Sequence, residues 1–312
     1  MYYGLNLLRG IAAIGIVGCH LGLSNRTSGG AWVTSLCDFN VAIFATISGF
    51  LMTKQKLRVD YIKRRAMRLL PTYIVWSVVY IAATIVFDFV FDGGVLNERF
   101  FSSSYWVDVL FWGLAATHLW FLICLFYGQV LLCCTNMAFH KFFNNTHDEK
   151  IIIAGISLVL LTGSIAIQNW YCYYPVRLLS FLLLGYVLGG IKRELFWESL
   201  ICTLPMLILH CLGRGFLPNF FMDYLLAIPV LILFSSPKFK ECKSAALLSV
   251  TSMGVYLIHP LFARGISFVV SRNFAGPYNA FMIMTVWLSV WLCSFLAVIW
   301  LRRFDRIKRF IS

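Results

Sequence analysis

The feature that most constrains this chain is a succession of apolar runs, each near the length that crosses a bilayer, joined by short polar connections. A helix needs about 20 residues to span the hydrocarbon core, and only elements that satisfy their own backbone N–H and C=O groups persist there. The runs lack the period-2 alternation of a strand barrel. The expectation is therefore an all-α, polytopic integral membrane protein, with residues 1–312 forming a single transmembrane domain and no separate soluble one. Composition agrees, with 60% hydrophobic and only 12% charged residues.

Ten spans are expected, at 5–23, 32–53, 71–91, 113–135, 150–168, 172–190, 197–212, 220–235, 246–269 and 280–301. With the N-terminus inside, nineteen of the 26 Lys and Arg residues fall in inside loops and four (Arg26, Arg99, Arg214 and Arg272) outside. That asymmetry orients the chain with both termini cytoplasmic, and the expected location is the cell's inner (cytoplasmic) membrane. The net charge of +13 thus meets anionic headgroups of membrane lipids and is not a nucleic-acid surface. The ten cysteines, among them Cys19, Cys124, Cys202 and Cys293, lie mostly singly in apolar runs and read as small hydrophobes. No CxxC pair or His/Cys cluster suggests a metal. The aromatic-rich outer connection, about residues 92–112, is expected to lie on the interface or fold back over the bundle.

Chemistry concentrates in the first run, LNLLRGIAAIGIVGCHLGL. Arg9 and His20 are eleven residues apart, close to three helical turns, so both fall on one face roughly 16 Å apart along the axis. Asn6 shares that stripe. Titratable groups in a span are costly and are usually retained where they bind, conduct or react. His20 can exchange a proton near neutral pH, although a bond to a backbone carbonyl would equally account for it. Arg9 suits phosphate or carboxylate, and snorkelling to headgroups is its alternative. Asp38 and Asn40, at the outer start of the second span, are the nearest orienting partners for His20 by depth.

Four further segments stand out. In YIKRRAMRLLP, Arg64 and Arg68 share a helical face with Arg65 adjacent; the cluster suits a polyphosphate from the cytoplasm or anionic lipid. ISGFLM, with Ser48 and Gly49, reads as a close helix-packing point. THLWFL places His118 and Trp120 at the outer start of the fourth span, where an aromatic belt would also put them. MGVYLIHPLF holds Tyr256, His259 and Pro260 inside the ninth span, where proline loosens the backbone around His259. His140, His147 and His210 have no evident role.

These motifs, in this order from about residue 5 to 262, resemble the membrane-bound acyltransferase-3 family. The resemblance implies a ten-helix bundle that moves an acyl group, usually acetyl, from cytoplasmic acyl-CoA to an extracytoplasmic acceptor. That acceptor is commonly a sugar hydroxyl of a surface polysaccharide or its lipid-linked precursor. It makes His20 and Arg9 the catalytic pair, Arg64, Arg65 and Arg68 the donor-binding group, and acetyl-CoA the donor substrate, with no metal. Asn6, Asp38, Asn40, Ser48, His118, Trp120, Tyr256 and His259 are acceptor-binding or supporting candidates. Asn6 departs from the family's frequent Asp, and HLWFLICLFYGQV lacks the acidic residues that often follow the Trp. With the tenth span expected to close the chain, the hydrolase-like domain fused to some relatives is not expected. The rival expectation from another class is an exporter of an anionic solute using the same polar stripe.

Overall fold

The structure, a computed structural model, describes residues 2–21, 30–91, 98–113, 115–116, 118–142, 146–167, 170–191, 194–212, 219–273 and 280–311. Among them the chain forms helices and no strand, in the order α1 (Tyr3–Cys19), α2 (Gly30–Met52), α3 (Val59–Phe91), α4 (Ser103–Trp112), α5 (Trp120–Phe142), α6 (Thr146–Gly163), α7 (Trp170–Leu188), α8 (Phe196–Leu212), α9 (Asn219–Ser235), α10 (Lys243–Asn273), α11 (Ala280–Leu301) and α12 (Asp305–Lys308). Each of the ten expected spans lies largely on one of these helices. Four segments are long and apolar enough to cross a membrane: Val59–Phe89, Trp120–Phe139, Lys243–Val270 and Phe281–Leu301. Shorter apolar helices accompany them, and the chain is a multi-pass membrane protein.

Two boundaries differ from expectation for identifiable reasons. Pro71 does not open α3 but sits inside it. A proline within a helix removes one backbone donor without obliging the helix to stop, so Arg64, Arg65 and Arg68 are carried on α3 itself. The span expected from 113 begins instead as α5 at Trp120. Gly113 takes a left-handed conformation, φ 76°, that closes α4, and a β-carbon there would stand 2.6 Å from the Trp120 backbone. Only glycine meets both demands.

The chain divides into two compact units, Gln55–Ser180 and Met1–Lys54 with Phe181–Ser312. In the first, α3 and α4 pack on α5, and the Tyr73 hydroxyl donates to the Val109 carbonyl. Thus α4 folds back onto its unit through Val109 and leaves Trp106, Leu110 and Phe111 exposed, as the aromatic content of that connection implies.

In the second unit α1 is the hub, packing on α2, α9, α10 and α11. Its small residues allow that. A β-carbon at Gly10 would stand 2.6 Å from Cβ of Leu248, and one at Gly15 or Gly18 would run into Asn40 or Cys37 of α2. The Ser48–Gly49 point is a close packing site as well: Gly49 lies against the Leu182 carbonyl and Gly185 against the Thr46 carbonyl. The backbones of α2 and the C-terminal part of α7 touch at both places, the geometry that small residues permit between membrane helices. The described cysteines are free thiols; Cys37, Cys124 and Cys133 are buried, whereas Cys202 is exposed on α8.

Gly185→Val should therefore lower stability by about 2 kcal/mol, since overpacking a helix contact forces the backbones apart. Gly155→Ala, at a helical glycine with nothing near its would-be β-carbon, should be neutral or slightly stabilising. Thermal unfolding in lipid nanodiscs measures both.

Candidate functional site

The site is built on the polar stripe of α1. That helix buries its small and aliphatic residues Leu5, Leu8, Gly10, Ala12, Ala13, Gly15, Ile16 and Val17, while Asn6, Arg9 and His20 are half-buried. His20 caps the helix with near-helical torsions, φ −92° and ψ 0°, so the expected alignment of its side chain with Arg9 and Asn6 is nearly kept.

At both ends of the stripe the neighbour is α10. Ser249 donates its hydroxyl to Oδ1 of Asn6 at 3.2 Å. Toward the other end, the rings of His20 and His259 approach to 5.1 Å between centroids, tilted by 41°. Between them, α11 braces α1 through Trp287, whose indole N–H donates to the Ile14 carbonyl at 2.8 Å. Asn6 and His20 are thus each met by a group of α10, as polar atoms at membrane depth require.

Local sequence explains how His259 is held. Pro260 lies inside α10 and has no N–H to give the Tyr256 carbonyl four residues before it. Nδ1 of His259 occupies that carbonyl at 2.8 Å and also lies 3.1 Å from the Val255 carbonyl. A carbonyl only accepts, so Nδ1 carries the proton and Nε2 is the ring's lone-pair nitrogen in the neutral side chain. His259 is 0% exposed and Tyr256 is buried beside it. The Tyr256 ring lies 6.3 Å from that of His259 between centroids, tilted by 46°.

The remaining sequence candidates in this unit have other surroundings. Asn40 donates to the Cys37 carbonyl at 3.1 Å and, from α2, packs against α1 at Gly15. Asp38 is on α2, but its side chain lies outside the described residues. Ser48 turns its hydroxyl to the Phe44 carbonyl at 2.8 Å, a packing role more than a chemical one.

In the other unit, Arg64 and Arg68 are exposed on one face of α3, and Arg65 is tucked beside Tyr61. Nε of Arg65 donates to the Tyr61 hydroxyl at 3.0 Å. The spacing thus leaves two cations presented and one anchored. His118 is buried within the protein, 2% exposed, with its ring 4.7 Å from that of buried Tyr80 in an edge-on contact. The turn that returns the chain from α4 to α5 carries it inward. Trp120 is half-buried, its ring 5.0 Å from Tyr174.

The structure also holds a pair to which the sequence assigned no role. Nε2 of His210 on α8 stands 3.6 Å from Oδ1 of Asp223 on α9, with both side chains 1% exposed. Phe39 of α2 packs on the His210 ring. The available signal was Asp223 itself, a carboxylate within the apolar run 220–235 that calls for a buried partner. His140 and His147 have side chains outside the described residues.

Residues 2–301 match the family model described as an acyltransferase domain, the acyltransferase-3 type. No curated protein and no solved structure matches the chain.

For the buried pair, Asp223→Ala should destabilise the protein by about 3 kcal/mol, because removing one member strands the other. The double replacement of His210 and Asp223 by Leu should cost less than Asp223→Ala, as apolar substitution of both partners often does. Nanodisc unfolding of the two variants measures the difference.

Proposed function

The chain belongs to this acyltransferase family, and we propose on that footing that it transfers an acyl group, acetyl in the first instance, from cytoplasmic acyl-CoA to a hydroxyl of an extracytoplasmic carbohydrate. The observation that carries the reading is the meeting of His20 and His259 at 5.1 Å on the polar face of α1, within a domain match that covers residues 2–301. The charge asymmetry of the loops supports cytoplasmic termini, and we place the protein, with ten spans, in the inner membrane. In that orientation Arg9 lies toward the donor side and His20 toward the acceptor side.

His20 acts as general base and then general acid. It takes the hydroxyl proton as the acceptor oxygen bonds to the thioester carbon, and returns a proton to the departing coenzyme sulfur. The exposed guanidinia of Arg64 and Arg68 grip the coenzyme's phosphates through charge-assisted hydrogen bonds, with Arg65 steadied by Tyr61. Arg9 stabilises the donor's negative groups within the membrane. Asn6, Asp38, Asn40, Ser48, His118, Trp120 and Tyr256 support the helices or the acceptor. Exposed aromatic groups of α4 such as Trp106, whose indole N–H bonds the Phe100 carbonyl at 3.0 Å, offer surfaces on which a sugar or lipid-linked sugar can rest.

The test is release of free coenzyme A by purified protein in nanodiscs supplied with acetyl-CoA and extracted surface glycans. His20→Ala should lose at least about 100-fold in rate, the lower end of a general base's contribution, while remaining folded; a folded, fully active variant would contradict the mechanism. Arg64→Gln and Arg68→Gln should each weaken acetyl-CoA binding about 10-fold at low salt, a difference that shrinks as ionic strength rises. Unchanged affinity would leave those arginines an orienting role only.

A further inference from the structure

His259 sits one ring from His20, yet its own proton is committed to the backbone of its own helix. Three features coincide to produce this. Pro260 withholds the N–H that would cap the Tyr256 carbonyl. His259, the residue immediately before it, supplies Nδ1–H in its place at 2.8 Å. The side chain is then fully buried against the His20 ring.

We infer that His259 is a positioning residue for acyl transfer: held as the Nδ1–H tautomer by the carbonyl that Pro260 releases, it offers a buried Nε2, which makes no hydrogen bond among the described residues of this structure, as the acceptor that a ring N–H of His20, one ring contact away, takes up during acyl transfer, and so fixes the orientation of the base. This rests on the proposed function of His20. Neutral imidazole is a donor at one nitrogen and an acceptor at the other. If the His20 N–H is held by His259, the lone pair of its second nitrogen is left for the acceptor hydroxyl. A carboxylate commonly does this orienting for a catalytic histidine, and the α1 run offers none. An imidazole with a fixed tautomer fills the role without bringing a second charge into the bundle, where an uncompensated charge is expensive.

The proton inventory stays simple. The acceptor proton moves to His20, a C–O bond forms to the thioester carbon as the C–S bond breaks, and the sulfur takes the proton from His20. His259 exchanges no proton and forms no bond to substrate. Its hydrogen bond strengthens while His20 is cationic, because a charged donor makes the stronger bond.

Two variants separate orientation from mere support of the helix. Asn at this position can still donate to the Tyr256 carbonyl but is too short to reach His20. Gln carries an amide oxygen to roughly the depth of Nε2. His259→Asn should therefore keep wild-type thermal stability and KM for acetyl-CoA, and lose about 10- to 100-fold in kcat, the range seen when a partner that orients a functional histidine is removed. His259→Gln should recover at least about a third of that kcat. A folded His259→Asn with wild-type kcat would overturn the inference.

Should His259→Asn fail to fold, the wild-type protein with ¹⁵N-labelled histidine decides. An Nδ1–H neutral tautomer for His259 is the expected spectrum, and an Nε2–H tautomer or a charged ring overturns the proposal. His20→Ala in the same coenzyme-release assay separates the two levels. If it stays active, the proposed mechanism fails. If it is inactive while His259→Asn is fully active, only the positioning role fails.

Discussion

Water is absent from the interior of a bilayer, so every polar side chain placed on a membrane helix has to be met by another protein group. In this chain the demand falls most heavily on α1, which carries an amide, a guanidinium and an imidazole on one face. The answer lies in the residues between them. Gly10, Gly15 and Gly18 let α10, α2 and α11 come close enough for short side chains such as Ser249 and Asn40 to reach the helix. Bulkier residues at those places would hold the partners off and strand the polar face. The glycine content of the first span and its polar stripe are two parts of one device.

The same constraint shapes α10. A proline in a membrane helix frees a carbonyl that must find another donor, and His259 is positioned by sequence to be that donor. What reads as a packing solution also fixes the protonation pattern of an imidazole next to His20. Structure and chemistry thus share one hydrogen bond in the YLIHP segment. In the other unit, Tyr61 and Arg65 repeat the pattern on a smaller scale, one residue anchoring locally while Arg64 and Arg68 remain presented.

Much of this was legible in the sequence because hydropathy, charge and small-residue placement act locally. The helices, the shared face of Arg9, His20 and Asn6, the close contact at Ser48–Gly49 and the presentation of Arg64 with Arg68 all follow from spacing along one helix. What could not be read is how separate helices are rotated and offset against each other. The pairing of His20 with His259 depends on the register of α1 against α10, and that of His210 with Asp223 on the register of α8 against α9. Neither leaves a trace in spacing. The burial of His118 depends on the turn at Gly113, a left-handed residue whose consequence for the fourth span is tertiary. Pro71 misplaced a boundary because the helix tolerates it.

The central proposal is that this acyltransferase takes its acyl group from a donor on one side of the membrane and delivers it to an acceptor on the other. Proteoliposomes loaded with radiolabelled acetyl-CoA, with membrane-impermeant surface glycans added outside, test this most directly. The account predicts label on the external glycan, stoichiometric free coenzyme A trapped inside, and loss of both with His20→Ala. Label that reaches the glycan only when both substrates are on the same side would contradict it.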